Sequence, residues 1–201
     1  MKRKTLMLLC SVSVVVCISA CATPEASKKL PYRLTPQGMV IWNDEFEFKP
    51  PPVVWKIIQT EAGGEFSFGF LRRETGRFPC QSMFVYDEDP FGASGNLDVR
   101  QEEFFKRFLW GTCLKFQVLE RKNIQVAGGE GLAVIVEGRD PVKEEKVKAK
   151  VVFVKRGERV VSFYITQWRL IGEAFDPSAF EVFDQFVGSF KFLKKSFYET
   201  L

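Results

Sequence analysis

Histidine does not occur anywhere in the 201 residues. Its absence excludes His-based triads, imidazole metal sites and a histidine pH switch. A strong charge of one sign is also missing, because 29 Lys and Arg stand against 25 Asp and Glu. A charge-driven nucleic-acid tail is therefore excluded. The chain is 46% hydrophobic and 27% charged, which rules out disorder and collagen-like repeats. It lacks a Cys-x-x-Cys pair, so thioredoxin-like exchange is disfavoured. The glycine-rich Ala127-Gly128-Gly129-Glu130-Gly131 has neither the dinucleotide fingerprint nor the Lys-Ser/Thr of a P-loop. A strand follows it rather than a helix, so it reads as a turn, as does the same quartet at Ala62 to Glu65. Phenylalanine is abundant, with 21 residues, and the length allows one domain or at most a small pair.

The N-terminus reads as an address. Lys2, Arg3 and Lys4 precede an uncharged apolar run from Thr5 to Ala20, too short for the ~20 residues of a spanning helix. The run closes on Ile18-Ser19-Ala20-Cys21, which resembles a bacterial lipobox. That resemblance implies cleavage before Cys21 and acylation of its thiol. Ala22 stands at the next position, where Asp would act as an inner-membrane retention signal. The resemblance thus implies a cell-envelope protein, lipid-anchored through Cys21, on the periplasmic face of the outer membrane where the host has two membranes. Without Lys2, Arg3 and Lys4 the 29 basic residues fall to 26 against 25 acidic ones, so the basicity belongs mostly to the signal.

The expected organisation is a signal peptide over residues 1–20, a flexible tether over 21–38 and one α+β domain over 39–201. The tether rests on the small, polar, proline-broken run after Cys21. Extended segments are expected at Met39 to Phe48, Trp55 to Gln59, Phe66 to Arg72 and Ser82 to Tyr86. Four more follow at Phe116 to Val126, Gly131 to Glu137, Lys146 to Lys155 and Glu158 to Gln167. The short turns at Gly128-Gly129 and Arg156-Gly157 require antiparallel neighbours. A helix is predicted from Val99 to Trp110 with Asp98 as N-cap and Gln101 at capping-box spacing. A second runs from Pro177 to Gly188 with Asp176 as N-cap, and Phe180, Phe183, Phe186 and Val187 on one face. The fold class is α+β, an antiparallel β-sheet flanked by helices.

Pro52 to Trp55, the mid-chain helix, the glycine-turn hairpins and the closing Gly188-Ser189-Phe190-Lys191-Phe192 together resemble the PsbP-like α/β/α sandwich over residues 45–193. Members of that family act mostly as assembly factors and binding modules, so the resemblance implies a role of that kind. It brings no catalytic motif.

Three clusters carry candidate chemistry. Cys80 and Cys113 are the thiols left once the signal is removed and Cys21 is acylated. An exported compartment favours a disulfide between them; the alternative is two buried apolar thiols. Lys146, Lys148 and Lys150 share one strand face opposite Val147, Ala149 and Val151. They form a candidate patch for an anionic partner, or else a solvated face or charged edge. Asp87, Asp89, Gly92 and Asp98 fall at calcium-loop spacing. Phe91 at the fifth position and the short Asp at the twelfth make an acidic turn the better account.

The sequence therefore points to a membrane-anchored, non-enzymatic binding or scaffold module without cofactor or metal. Its partners are the membrane, through the acyl chains on Cys21, and an envelope protein or apolar small molecule. The alternative is a carrier enclosing a lipid or other apolar ligand in a Phe-rich cavity. A disulfide between Cys80 and Cys113 closes a loop worth about 3–4 kcal/mol. Thermal unfolding with and without reductant checks it: the bridge lowers the midpoint on reduction, and two free thiols leave it unmoved.

Overall fold

The structure is a computed structural model, and it describes residues 32–42, 44–62, 65–74, 77–88, 96–106, 115–140, 142–156 and 159–193. Cys21 and Cys113 lie outside these residues, and Cys80 is described only as strand backbone. The chain divides into two compact units, Met1–Leu30 and Pro31–Leu201, and all described residues belong to the second.

Its elements are β1 (Tyr32–Leu34), β2 (Val40–Trp42), β3 (Phe46–Phe48), β4 (Lys56–Ala62), β5 (Glu65–Glu74), β6 (Arg77–Glu88), α1 (Leu97–Phe104), β7 (Lys115–Val126), β8 (Gly129–Asp140), β9 (Glu145–Arg156), β10 (Arg159–Leu170), α2 (Pro177–Ser189) and β11 (Lys191–Phe192). The long strands form a seven-stranded sheet in the order β4-β5-β6-β10-β9-β8-β7, and the short ones a four-stranded sheet, β1-β2-β3-β11. All the pairings are antiparallel. The α+β class with an antiparallel sheet flanked by helices is the observed one.

The small sheet is the main departure from expectation. Met39 to Phe48 is two strands rather than one, because Asp44 takes a positive φ of 58° and the Glu45 N–H bonds the Trp42 carbonyl at 2.9 Å. The described residues also include a strand ahead of Met39, at Tyr32–Leu34. Tyr32 stacks on Trp42 with ring centroids 5.7 Å apart, and β1 pairs with β2, so part of the expected tether is strand.

Alternation along the long strands builds two cores, one on each face of the large sheet. On one face Leu132, Val134 and Val136 of β8 join Val151 and Phe153 of β9 beneath Phe104 and Phe105 at the end of α1. The other face is closed by α2 and the small sheet. There Phe68, Phe70, Met83, Phe163 and Ile165 meet Phe183 and Phe186 of α2 and Phe46 and Phe48 of β3. The result is α1, sheet, then α2 with the small sheet.

Helix starts follow local bonding. Asp176 caps α2, accepting from the Ser178 N–H at 2.9 Å, with Pro177 at the first position. At α1 the N-cap is Asn96 rather than Asp98; the Asn96 side chain accepts from the Asp98 N–H at 2.8 Å. Asp98 instead pairs with Arg121 of β7. The expected continuation of α1 to Trp110 falls outside the described residues beyond Lys106.

The β7–β8 turn also moves by one residue. Ala127 and Gly128 both have positive φ, 53° and 77°, the two-residue hairpin geometry that matches strand twist. Gly129 lies already in β8, where a Cβ would strike the Lys155 carbonyl oxygen of β9. Its smallness serves strand contact, and Gly128 serves the turn.

Every residue of both cores and every strand pair lies between Tyr32 and Phe192, so residues 31–201 carry the whole described core. That body should unfold in one cooperative transition, unchanged by excess EDTA. Phe186→Ala should cost about 3–5 kcal/mol in urea titration, whereas Val53→Ser, at a site 93% exposed, should stay within about 0.5 kcal/mol.

Candidate partner-binding face

The lysines of β9 lie on the face of the sheet that α2 covers. Val147, Ala149 and Val151 between them are buried on the opposite face. The structure separates the three rather than leaving a uniform stripe. Lys150 is drawn into the fold: its Nζ donates to both carboxylate oxygens of Asp184 on α2, at 2.5 and 2.7 Å, and its side chain is only 14% exposed. Lys146 and Lys148 stay half-buried, their ammonium groups 4.7 and 5.8 Å from the Phe175 ring centroid. A cation over an aromatic face gains about 0.5–1 kcal/mol in such partly exposed sites.

Phe175 is held there by the connection between β10 and α2. Gln167, fully buried on β10, clamps the backbone of Asp176 from both sides. Its Nε2 donates to the Asp176 carbonyl at 2.7 Å, and its Oε1 accepts from the Asp176 N–H at 2.9 Å. The Asp176 carboxylate in turn accepts from the Ser178 hydroxyl at 2.7 Å and from Arg72 of β5 at 3.0 Å. These bonds hold its carboxyl below the ordinary value. The Ser178 hydroxyl bond is the largest cause, partial burial opposes it, and Arg72 and Gln81 add smaller pulls downward. Arg169, buried beside this clamp, donates to the Trp168 carbonyl at 2.8 Å and to Gln167 Oε1 at 3.4 Å.

The cross-strand register extends the basic face beyond β9. Arg169, Lys146, Arg139 and Lys115 stand opposite one another across β10, β9, β8 and β7. Like charges directly opposed disfavour folding, so a row of four cations is a feature the fold tolerates rather than needs. Sequence reasoning found Lys146 and Lys148 but missed Phe175, Gln167, Arg139 and Lys115. Only strand register joins them, and one signal was visible: Gln167 is a polar residue at a core-facing position of β10. Chemically, this face can bind anions through Lys146, Lys148 and Arg139, with Phe175 as an apolar contact.

No protein-family model matches the chain, and none of the curated proteins does. Among solved structures, a mutant of the protein Mog1 is similar with a TM-score of 0.53 and 16% identity, over 76% of this chain and 93% of that one. That likeness shows the fold alone. The PsbP protein of Synechocystis (CyanoP) is 12% identical over 80% of this chain and 91% of its own, with a TM-score of 0.48. LpqN of Mycobacterium tuberculosis, involved in cell envelope biogenesis, is 13% identical over 73% and 82%, with a TM-score of 0.47.

Asp176→Ala should cost about 1–2 kcal/mol at neutral pH through the lost cap. Because the folded carboxyl titrates below its unfolded value, its stabilisation is complete above the ordinary carboxylate pKa and disappears as pH falls through the folded one. Urea midpoints of Asp176→Ala and the unmodified protein should therefore converge in acid. Gln167→Leu should cost about 1–3 kcal/mol at every pH, since it strands two backbone groups.

Proposed function

We propose that this chain is a lipid-anchored, non-enzymatic binding module of the cell envelope. The observation that carries the anchor is the order of Lys2-Arg3-Lys4, the apolar run and Ile18-Ser19-Ala20-Cys21. Acylation of Cys21 would attach the chain to a bilayer essentially permanently, at ~0.8 kcal/mol per buried methylene. Ala22 favours the outer membrane's periplasmic face in a two-membrane host. A second carrying feature is the exposed edge of the α2 face, where Lys146, Lys148 and Arg139 present positive charge beside Phe175.

Binding on the surface is favoured over an enclosed ligand by the packing of the phenylalanines. Phe48 lies 5.0 Å from Phe68 and 5.2 Å from Phe186, and Phe163 lies 4.7 Å from Phe190, centroid to centroid. Rings that a ligand would have to separate are already in mutual contact, at the spacings of favourable aromatic pairs.

Cys21→Ser tests the anchor. The substituted chain should keep its signal peptide unprocessed and lose acylation, read by mass and by membrane fractionation after a high-salt wash. Normal processing with unchanged, salt-resistant membrane retention would sink the reading. Crosslinking in intact cells should recover a reproducible neighbour that Lys148→Glu reduces severalfold; a stoichiometric lipid inside the body would instead revive the carrier.

A further inference from the structure

Strand β7 is one edge of the seven-stranded sheet, and among the described residues it pairs with β8 and with no other strand. None of its 12 residues is buried, and Val118 and Leu119 at its middle are 49% and 46% exposed. An edge of this length offers its outward N–H and C=O groups to a further strand.

Which groups point outward follows from the hairpin. Its two-residue turn closes on Val126 and Gly129, a hydrogen-bonded pair in such turns. Alternation from there leaves the main-chain groups of Gln125, Asn123 and Arg121 facing away from β8. A bulge intervenes, because Val118 stands opposite Val136 while Glu120 stands opposite Ile135, with Leu119 as the extra residue. Beyond it, Val118 and Phe116 face outward.

Side-chain direction shifts at the bulge too. Glu120, Lys122 and Ile124 lie on the side of the sheet that α2 covers, with Lys122 opposite Ala133 of that core. Phe116, Val118 and Arg121 lie on the α1 side, with Val118 and Arg121 opposite Val136 and Val134 of the other core. Arg121 accordingly pairs with Asp98 and donates to Gln101 of α1 at 3.2 Å.

We infer that β7 pairs antiparallel with β7 of a second copy of this chain, on a two-fold axis at Arg121. In that register Glu120 stands opposite the second copy's Lys122, and Lys122 opposite its Glu120, on the same side of the joined sheet. Glu120 and Lys122 already bond within one chain at 3.0 Å, so the two copies close a ring of four alternating charges. The two Arg121 meet at the axis, each with its own Asp98, and four charges balance there as well. Val118 then faces Asn123 and Phe116 faces Gln125, so that residues 116–125 of both copies overlap and exchange about ten main-chain hydrogen bonds. Moving either strand by two residues sets Glu120 against Glu120 or Lys122 against Lys122, and like charges directly opposed disfavour pairing. The strand is complementary to itself in one register, which selects a second copy over an unrelated strand. Such an interface is isologous and closes at two subunits. It requires neither acylation of Cys21 nor the partner of the proposed function.

Residues 31–201 hold every described strand and both cores, and they contain this whole surface. Sedimentation equilibrium at up to about 100 μM should show monomer and dimer in exchange. Glu120→Lys should raise the dissociation constant at least about fourfold, and Glu120→Lys with Lys122→Glu should restore it. Circular dichroism should not change, because both side chains are exposed. Val118→Cys with Asn123→Cys should give a disulfide-linked dimer on mild oxidation, since residues opposed in such a pair lie about 5.5 Å apart. Within one chain these two positions are about 15 Å apart and cannot join. Val118→Cys with Gln125→Cys should not crosslink beyond the unmodified body, which retains Cys80 and Cys113. A monomer at every concentration overturns the proposal. So does a dimer that Glu120→Lys leaves unchanged, or equal crosslinking of the two cysteine pairs, since either puts the contact elsewhere.

Discussion

The seam between the small sheet, α2 and the long sheet is the constraint on which the remaining structure depends. Trp42 stacks on Phe68 at 4.4 Å and Phe48 on Phe68 at 5.0 Å, while Phe186 and Phe190 reach Phe70 and Phe163 from the other side. The Phe70–Phe186 contact joins residues 116 positions apart in sequence, and Phe48 meets Phe186 across a still longer separation. Strand β11, two residues long, pairs with β3 directly after α2. Residues 40–48 and 177–192 are thereby tied into one cover, and the long sheet gains an interior on a face that would otherwise be exposed. Aromatic rings suit this seam because each buries a large area and packs edge-on or offset against the next.

The clamp at Asp176 sets where that cover starts. Gln167 fixes the backbone at the α2 N-cap, and Arg72 draws the same residue toward β5. From there the helix runs along the sheet, so that Asp184 arrives above Lys150 and Phe186 above Phe70 and Phe163. A buried amide satisfied at both ends is worth most where no water can replace it. The position of α2 thus depends on a polar side chain in an otherwise apolar strand.

Long strands and the second helix were legible because their signals were local. β8 to β10 are runs rich in branched and aromatic residues, Lys alternates with Val and Ala from Lys146 to Val151 of β9, and α2 has Asp, Pro and a Phe-rich stripe in order. The four-stranded sheet was not, since strands of two or three residues carry too little periodicity to separate from a turn. Asn96 displaced Asp98 as the cap of α1 because Asp98 has a competing partner in Arg121, 23 positions away. At the candidate site the β9 lysines were readable and their environment was not. Phe175, Arg139 and Lys115 reach them only through the hairpin register and the clamped loop, neither of which a local pattern encodes.

The extent of the cover also explains where the large sheet carries charge. On the face beneath α2, three adjacent strands change character at nearly the same level. β9 passes from Lys146, Lys148 and Lys150 to Val152 and Val154, β10 from Arg169 and Gln167 to Ile165, Phe163 and Val161, and β8 from Arg139 and Glu137 to Ile135 and Ala133. Below that level α2 and the small sheet exclude water, so the rows are apolar. Above it β10 still buries Gln167 and Arg169, satisfied by the Asp176 backbone and the Trp168 carbonyl, while Lys146 and Lys148 of β9 are half-buried and Arg139 of β8 is exposed. Lys150 sits on the boundary and is neutralised by the helix itself. Beyond it the clamp through Gln167 closes β10, and Lys146, Lys148 and Arg139 lie outside the core that α2 seals. Had the cover reached the strand ends, Lys146 and Arg139 would have faced desolvation without compensating bonds. The same shortness of the cover that leaves a charged rim therefore makes the rim compatible with a stable core.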